Sequence, residues 1–339
     1  MDGPAALVVT TINPPTAAMQ AIAAEANERG IEVFAIGDRK GPDAFALPGV
    51  TFRSYDQQLT SDFEYPTACP PGHYARKNVG YLEAVAVGAR VIVETDDDNF
   101  PRPAFFGRRA RQSEGEVFRG AGWVNVYGLF SDTGVWPRGF PLQLVRSPVP
   151  ASSGTAAVAC PVQNGLADDD PDVDAMYRMV GDLPVTFAER LPVILLAGSW
   201  CPFNSQNTTF FPEAYPLAYL PRHCTFRMTD IWRSLVAQRV LGENGWGLLF
   251  HGASVWQERN EHDLLVDFAD EIPGYLHNAA IVDRFSALDL PRGEANIFEA
   301  MRVCYEDLVR NQLVGREELK LLEAFERDLI GAGWKPGIL

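Results

Sequence analysis

Val91-Ile92-Val93-Glu94-Thr95-Asp96-Asp97-Asp98-Asn99-Phe100-Pro101 decides how this chain is read. A β-branched apolar segment ends abruptly in three adjacent carboxylates. Like charges so close disfavour ionisation unless a cation neutralises them, and oxygen ligands suit Mg²⁺ or Mn²⁺. In open α/β sheets, ligands bind outside the carboxyl ends of the strands. The stretch therefore predicts a metal–diphosphate site at the end of a central strand, built on Asp96, Asp97 and Asp98. The competing reading is an acidic surface turn, since Asp and Asn favour turns.

Upstream, Ala6–Ile12 reads as a strand, and Thr16 caps a helix over Ala17–Arg29 that Gly30 stops. Ile31–Ile36 is a second strand running into Gly37-Asp38-Arg39-Lys40. Strand–helix–strand in so short a span is a βαβ unit. Val50–Tyr55 follows as a strand, Tyr74–Gly88 has helical spacing, and Arg90–Thr95 is the central strand. The first hundred residues thus read as a nucleotide-binding α/β half. Its candidate ligand contacts are Thr10, Thr11 and Asn13 at the end of the first strand, and Asp38 and Arg39 at the end of the second. Arg76, Lys77 and Asn78 at a helix start join them, with Asp96 and Asp97 beyond.

Residues 101–225 are rich in Pro, Gly and aromatics, with strands expected at Trp123–Tyr127 and Val193–Leu196 and ordered loops between. Helices return with Asp230–Leu241, capped by Asp230, then Glu294–Gln312 and Glu317–Leu329. The expected organisation is one domain over 1–275, with a nucleotide half (1–100) and an acceptor half (101–275). A helical extension, 276–339, packs on it.

The 339 residues are 47% hydrophobic and 22% charged, which are globular values, and the formal charge is −15. That balance excludes a broad nucleic-acid or anionic-membrane surface, because both need basic patches. No apolar run reaches the roughly 18 residues of a membrane span. Met1-Asp2-Gly3-Pro4 lacks the basic start of a signal peptide. Five scattered cysteines without a C-x-x-C pair give neither a disulfide framework nor a zinc knuckle. The expectation is a cytoplasmic chain. Phosphate-loop and dinucleotide fingerprints are absent, against ATPase and dehydrogenase readings. Trp136, Trp200 and Trp232 read as core residues, with sugar stacking as their alternative role.

Several stretches carry a family resemblance: Thr10–Thr16, Gly37–Lys40, Arg76–Tyr81, Val135–Leu142, Pro171–Asp174, Phe203–Thr208 and Arg227–Arg233. In that order, across residues 7 to about 275, they resemble the STELLO family of glycosyltransferases. The plant members are membrane-anchored Golgi proteins linked to cellulose synthesis, so the expected likeness is to their catalytic part. The triple Asp also resembles that of the reversibly glycosylated polypeptides, which are nucleotide-sugar mutases.

The resemblance implies an α/β, GT-A-type fold: a Rossmann-like nucleotide-binding sheet with an acceptor-side region and C-terminal helices. It implies hexosyl or pentosyl transfer from a nucleotide-diphospho-sugar, with Mn²⁺ or Mg²⁺ as cofactor, to a carbohydrate or other hydroxyl acceptor. By that pattern Asp96 contacts ribose or a metal-bound water, Asp98 ligates the metal, and a later His, His251 or His262, completes the shell. His251 follows the apolar run Trp246–Phe250 and is placed at a strand end. An inverting transferase also needs a carboxylate base. Asp230 is the first candidate, with Asp172 and Asp174 as alternatives. Rival readings are a nucleotide-sugar mutase or self-glycosylating protein, an inert scaffold of a polysaccharide-making complex, and nucleotidyl transfer.

Overall fold

β1 (Ala5–Thr10), α1 (Ala17–Glu28) and β2 (Glu32–Ile36) form the expected βαβ unit, with the Thr16 side chain accepting from Met19 N as the helix cap. The computed structural model describes residues 5–42, 44–258 and 263–337. β3 (Val50–Arg53) follows, then the short helices α2 (Tyr55–Leu59) and α3 (Tyr65–Ala68), then α4 (Lys77–Ala86) and β4 (Val91–Asp96). These four strands pair in parallel in the order β3-β2-β1-β4, a Rossmann-like half. α4 lies close on this sheet. A Cβ on Gly80 would stand 2.3 Å from Val8 Cγ1, so only glycine permits the approach.

The middle of the chain adds β5 (Asn99–Pro101), β6 (Gln112–Phe118), β7 (Gly122–Trp123), α5 (Val126–Phe130), β8 (Thr155–Ala159) and β9 (Val162–Asp168). α6 (Ala175–Val180), β10 (Val193–Leu195), β11 (Ser199–Trp200) and β12 (Asn207–Phe210) complete it. The chain then runs through α7 (Thr229–Glu243), β13 (Leu248–Gln257), α8 (Leu264–Ala287), α9 (Ile297–Arg310) and α10 (Glu318–Gly331).

The main sheet continues past β4 as β12-β9-β13-β10-β6-β8, with β5 on β13. β12 runs antiparallel to β4, with Asn207 opposite Thr95. The carboxyl end of β4 is therefore central, flanked by the end of β1 and by the segment that leads into β12. That is the α/β class expected from the sequence, with mixed rather than all-parallel pairing.

Three expectations change. Trp123–Tyr127 is not one strand: β7 ends at Trp123 and α5 begins at Val126, because Asn125 accepts from Gly128 N and caps a helical turn. Asp230 does not cap α7. It lies in the first turn, and its side chain turns away to an arginine.

The division at 275/276 falls inside the unbroken α8, and side chains from both ends of the chain share one core. Phe325 of α10 packs edge-on against Tyr65, centroids 5.9 Å apart, while Asp328 accepts from Glu64 N (2.9 Å) and Tyr65 N (2.6 Å). The C-terminal helices brace the nucleotide half. Among the described residues, no helix is long and apolar enough to cross a membrane.

Glu318 is the polar anchor of that brace. Fully buried, it accepts from Arg222 N (2.9 Å), His223 N (2.7 Å) and the Tyr219 hydroxyl. Burial, opposed by these donors, pushes its carboxyl up to about 7 from an ordinary 4.5. Between those values the folded protein holds a proton that the unfolded chain releases. Its contribution to stability is therefore full below about pH 4.5 and falls as the pH climbs to about 7. Glu318→Gln should flatten the fall in melting temperature between pH 5 and 8, read by circular dichroism. A variant with the wild-type slope would contradict this assignment.

Candidate functional site

A cavity of about 660 Å³ opens at the carboxyl end of β4, within the size range of small-molecule sites. The β1 end (Thr10, Thr11, Ile12, Asn13) and the β2 end (Ile36, Gly37, Asp38, Lys40) line one side. Asp96, Asp97 and Asp98 form another wall. The far side is Arg138, Asp172, Asn204, Ser205, Gln206, Phe226, Arg227, Asp230 and Gln257, while Gly72, His73, Tyr74 and Arg76 lie along the rim between. All seven stretches that carried the family resemblance contribute to this one cavity.

The three carboxylates are held differently. Asp96 Oδ1 accepts from Lys77 Nζ at 2.8 Å. Asp97 Oδ2 accepts from Thr11 Oγ1 (2.6 Å) and Asn13 Nδ2 (3.1 Å), so this aspartate shapes the β1 loop. Asp98 Oδ2 accepts from Gln257 Nε2 at 3.0 Å. Burial, then the charges of Asp96 and Asp97, push the Asp98 carboxyl up to about 7 against that hydrogen bond. A cation at Asp98 would reverse this penalty.

Lys77 was expected to face a nucleotide. Instead it is fully buried behind the wall, and its ammonium is filled by Thr95 O (3.0 Å), Asp96 Oδ1 and Ser205 O (3.1 Å). Asn78 also leaves the cavity: its amide pairs with Tyr65 Oη and with both Leu220 backbone groups. Arg76 reaches the rim but is committed to Gln58 Oε1, Pro66 O and Cys69 O. Arg39 points outward and lies over the Tyr55 ring at 5.0 Å. Asp38 lines the cavity while fastening the rim loop through Gly72 N (2.7 Å) and His73 N (2.9 Å).

On the far side Arg138 is the hub. Its guanidinium is buried and meets Asp172 through Nε (2.8 Å) and Nη2 (2.9 Å), and Asp230 through Nη1 (3.0 Å) and Nη2 (2.9 Å). It also donates to Arg227 O. Asp230 Oδ2 accepts from Ser205 N at 3.1 Å. Burial alone would raise the Asp230 carboxyl, but Arg138 outweighs it and holds that group well below the usual carboxylate range. Such a group is a weak proton acceptor, so Asp230 acts first as a clamp.

Asp174 is removed from the site altogether. It caps α6 through Tyr177 N (2.7 Å) and accepts from Trp136 Nε1 (2.7 Å). None of Trp136, Trp200 and Trp232 lines the cavity; Trp200 and Trp232 are core residues, and Trp232 Nε1 donates to Asn278.

His251 is not at a strand end. β13 continues to Gln257, and a bulge makes its stretch from His251 to Trp256 span only Gly165 to Asp168 of β9, so His251 lies on the order of 10–15 Å from the cavity end at ~3.3 Å per residue. Its Nδ1 contacts Gly252 O, and burial lowers its pKa to about 3. His262 lies outside the described residues. Among the described residues no cluster of three His, Cys, Asp or Glu side chains forms a metal shell. Asp96 and Asp98 nevertheless suit Mg²⁺ or Mn²⁺, which is bound by one or two carboxylates together with substrate phosphates.

Sequence reading missed Arg138, Lys40, His73, Tyr74 and Phe226. Arg138 and Lys40 lay inside stretches already singled out, and an Arg in a Pro/Gly-rich loop is a cue to function. Burial of the pocketed charges predicts how the wall fails. Lys77→Ala leaves Asp96 and two carbonyls without their donor, so unfolding free energy should fall by roughly 2–4 kcal/mol. Urea denaturation with unchanged stability would contradict the buried placement.

The STELLO glycosyltransferases family model matches residues 227–339. That match takes in α7 to α10, so the likeness runs beyond residue 275. Two Arabidopsis thaliana proteins are similar to the chain. "Probable glycosyltransferase STELLO2" is 29% identical over 262 residues, covering 70% of this chain and 34% of that protein. "Probable glycosyltransferase STELLO1" is 28% identical over 262 residues, covering 70% and 33%. The chain spans about a third of the length of these relatives. Among solved structures, a mycobacterial protein (TM-score 0.39, 10% identity, 82% of this chain and 75% of that one) is distantly similar. So is the M. tuberculosis glucosyl-3-phosphoglycerate synthase (TM-score 0.37, 12% identity, 82% and 81%). Neither is close enough to bear on the reading. The resemblance read from the sequence stands: the chain is similar to the STELLO glycosyltransferases.

Proposed function

From this kinship we propose that the chain is a GT-A-type, divalent-metal-dependent glycosyltransferase. It takes a nucleotide-diphospho-sugar into the β4 cavity and passes the sugar to a hydroxyl acceptor. The observation that carries the reading is the convergence of the seven resemblance stretches on one cavity, with a carboxylate wall on one side and the Asp172–Arg138–Asp230 cluster on the other.

The chain's own residues divide the work. The β1 and β2 ends receive the base and ribose edge, where Thr10, Thr11 and Asp38 line the cavity. Asp98, with Asp96, holds the cation, and Gln257 orients Asp98. When bound, that cation supplies charge neutralisation at the leaving diphosphate. Lys40 faces the same space, and no hydrogen bond or ion pair engages it among the described residues. It is the free cation for a phosphate oxygen. Asp172 and Asp230 face the acceptor, and Arg138 fixes both.

Titration calorimetry with Mn²⁺ and UDP, GDP or ADP tests the donor site. Wild type should bind one of them in a Mn²⁺-dependent way. Asp98→Asn should weaken that binding at least tenfold. Lys40→Ala should cost a charged hydrogen bond, roughly 1.5–3 kcal/mol or about 10- to 150-fold in affinity, with an unchanged melting temperature because Lys40 is exposed. Unchanged affinity in Asp98→Asn would remove the metal assignment, and no binding by wild type would remove the donor site.

A further inference from the structure

The far wall of the cavity has a chemical character of its own. Phe226 sits in the turn before α7, lines the cavity and is 47% exposed. An aromatic ring so exposed in a polar cavity leaves apolar area in water that a ligand can cover. Its position is fixed from behind. The ring meets Tyr74 edge-on at 4.8 Å and His73 at 5.1 Å, and His73 stacks on Tyr74. The Tyr74 hydroxyl accepts from Asp230 N at 3.0 Å, and the neighbouring Arg227 carbonyl accepts from Arg138. The aromatic face and the carboxylate clamp are therefore one rigid unit.

The cavity lining carries an excess of negative charge. Among the described residues that line it, six are aspartates and four are Lys or Arg. An anionic acceptor would meet repulsion here. A neutral polyol would not, and carboxylates held by arginine still accept hydroxyl hydrogen bonds. A pyranose ring also presents a face of C–H bonds whose positive edge matches the negative face of an aromatic ring.

Resting on the proposed transferase reading, we infer that the acceptor is an uncharged sugar, with Phe226 as its stacking platform and Asp172 and Asp230 as its hydroxyl-binding pair. Phe226 is then a specificity-determining residue on the acceptor side. This choice sets aside phosphorylated or carboxylated acceptors, and it sets aside Phe226 as the platform for the nucleobase.

Saturation-transfer NMR tests it with methyl β-glucoside, methyl β-galactoside and methyl β-xyloside as neutral probes, against glucuronate and glucose 6-phosphate. Each is measured on the whole chain with and without Mn²⁺ and nucleoside diphosphate. At least one neutral glycoside should bind wild type. It should bind at least fivefold more weakly to Phe226→Ala and close to normally to Phe226→Trp, and the anionic sugars should give no signal. Because Phe226 is half exposed, Phe226→Ala should melt near wild type. The inference is overturned if no neutral glycoside binds, if an anionic sugar binds as well, or if Phe226→Ala leaves glycoside binding unchanged. It is also overturned if that variant loses nucleotide affinity instead. The donor reading is judged separately, by nucleotide binding to wild type.

Discussion

Two buried cations, Lys77 and Arg138, hold Asp96, Asp172 and Asp230 in place, and the rest of the site depends on them. Lys77 joins the end of β4 to the segment entering β12, through Thr95 O, Asp96 and Ser205 O. Arg138 joins the 172 loop to the first turn of α7, through Asp172 and Asp230. Ser205 links the two, because its carbonyl accepts from Lys77 while its amide donates to Asp230. A continuous polar chain thus runs from the β4 carboxylates to the far wall. Removing either cation would leave buried acceptors and negative charge uncompensated, which costs more than the pair itself contributes.

The same logic extends below the site. Glu94, two residues before Asp96, is buried with Arg233 Nη2 at 2.8 Å, and Tyr81 donates to it. Arg233 in turn lies over the Phe203 and Phe210 rings at 5.0 and 5.5 Å. α7 therefore sends Asp230 up to the cavity and Arg233 down to the sheet. Its position fixes the floor and the far wall together, and α8 and α9 hold it from outside.

The βαβ start and the central strand were legible because β-branched runs, a Thr cap and a stopping Gly act locally. The Asp triplet could be read as a candidate site because three adjacent carboxylates stand at a strand end, where ligands of α/β sheets bind. What the sequence hid was partnership across distance. Lys77 reads as a solvated helix-start base, yet the sheet folds over it. Asp174 and Asp172 look equivalent in Pro171-Asp172-Val173-Asp174, but one caps α6 and the other meets Arg138, a residue 34 positions upstream. His251 follows an apolar run that looks complete, yet β13 continues for six more residues past a register shift. Long-range pairing of this kind leaves no periodic trace in one sequence.

The central claim is that the end of β4 is a nucleotide–metal site. Anomalous scattering at the manganese edge, from crystals soaked with Mn²⁺ and a nucleoside diphosphate, tests it most directly. The account predicts a single strong peak about 2.2 Å from an Asp98 oxygen, with diphosphate density between it and Lys40. A peak elsewhere with the β4 carboxylates bare, or diphosphate density outside this cavity, would contradict it.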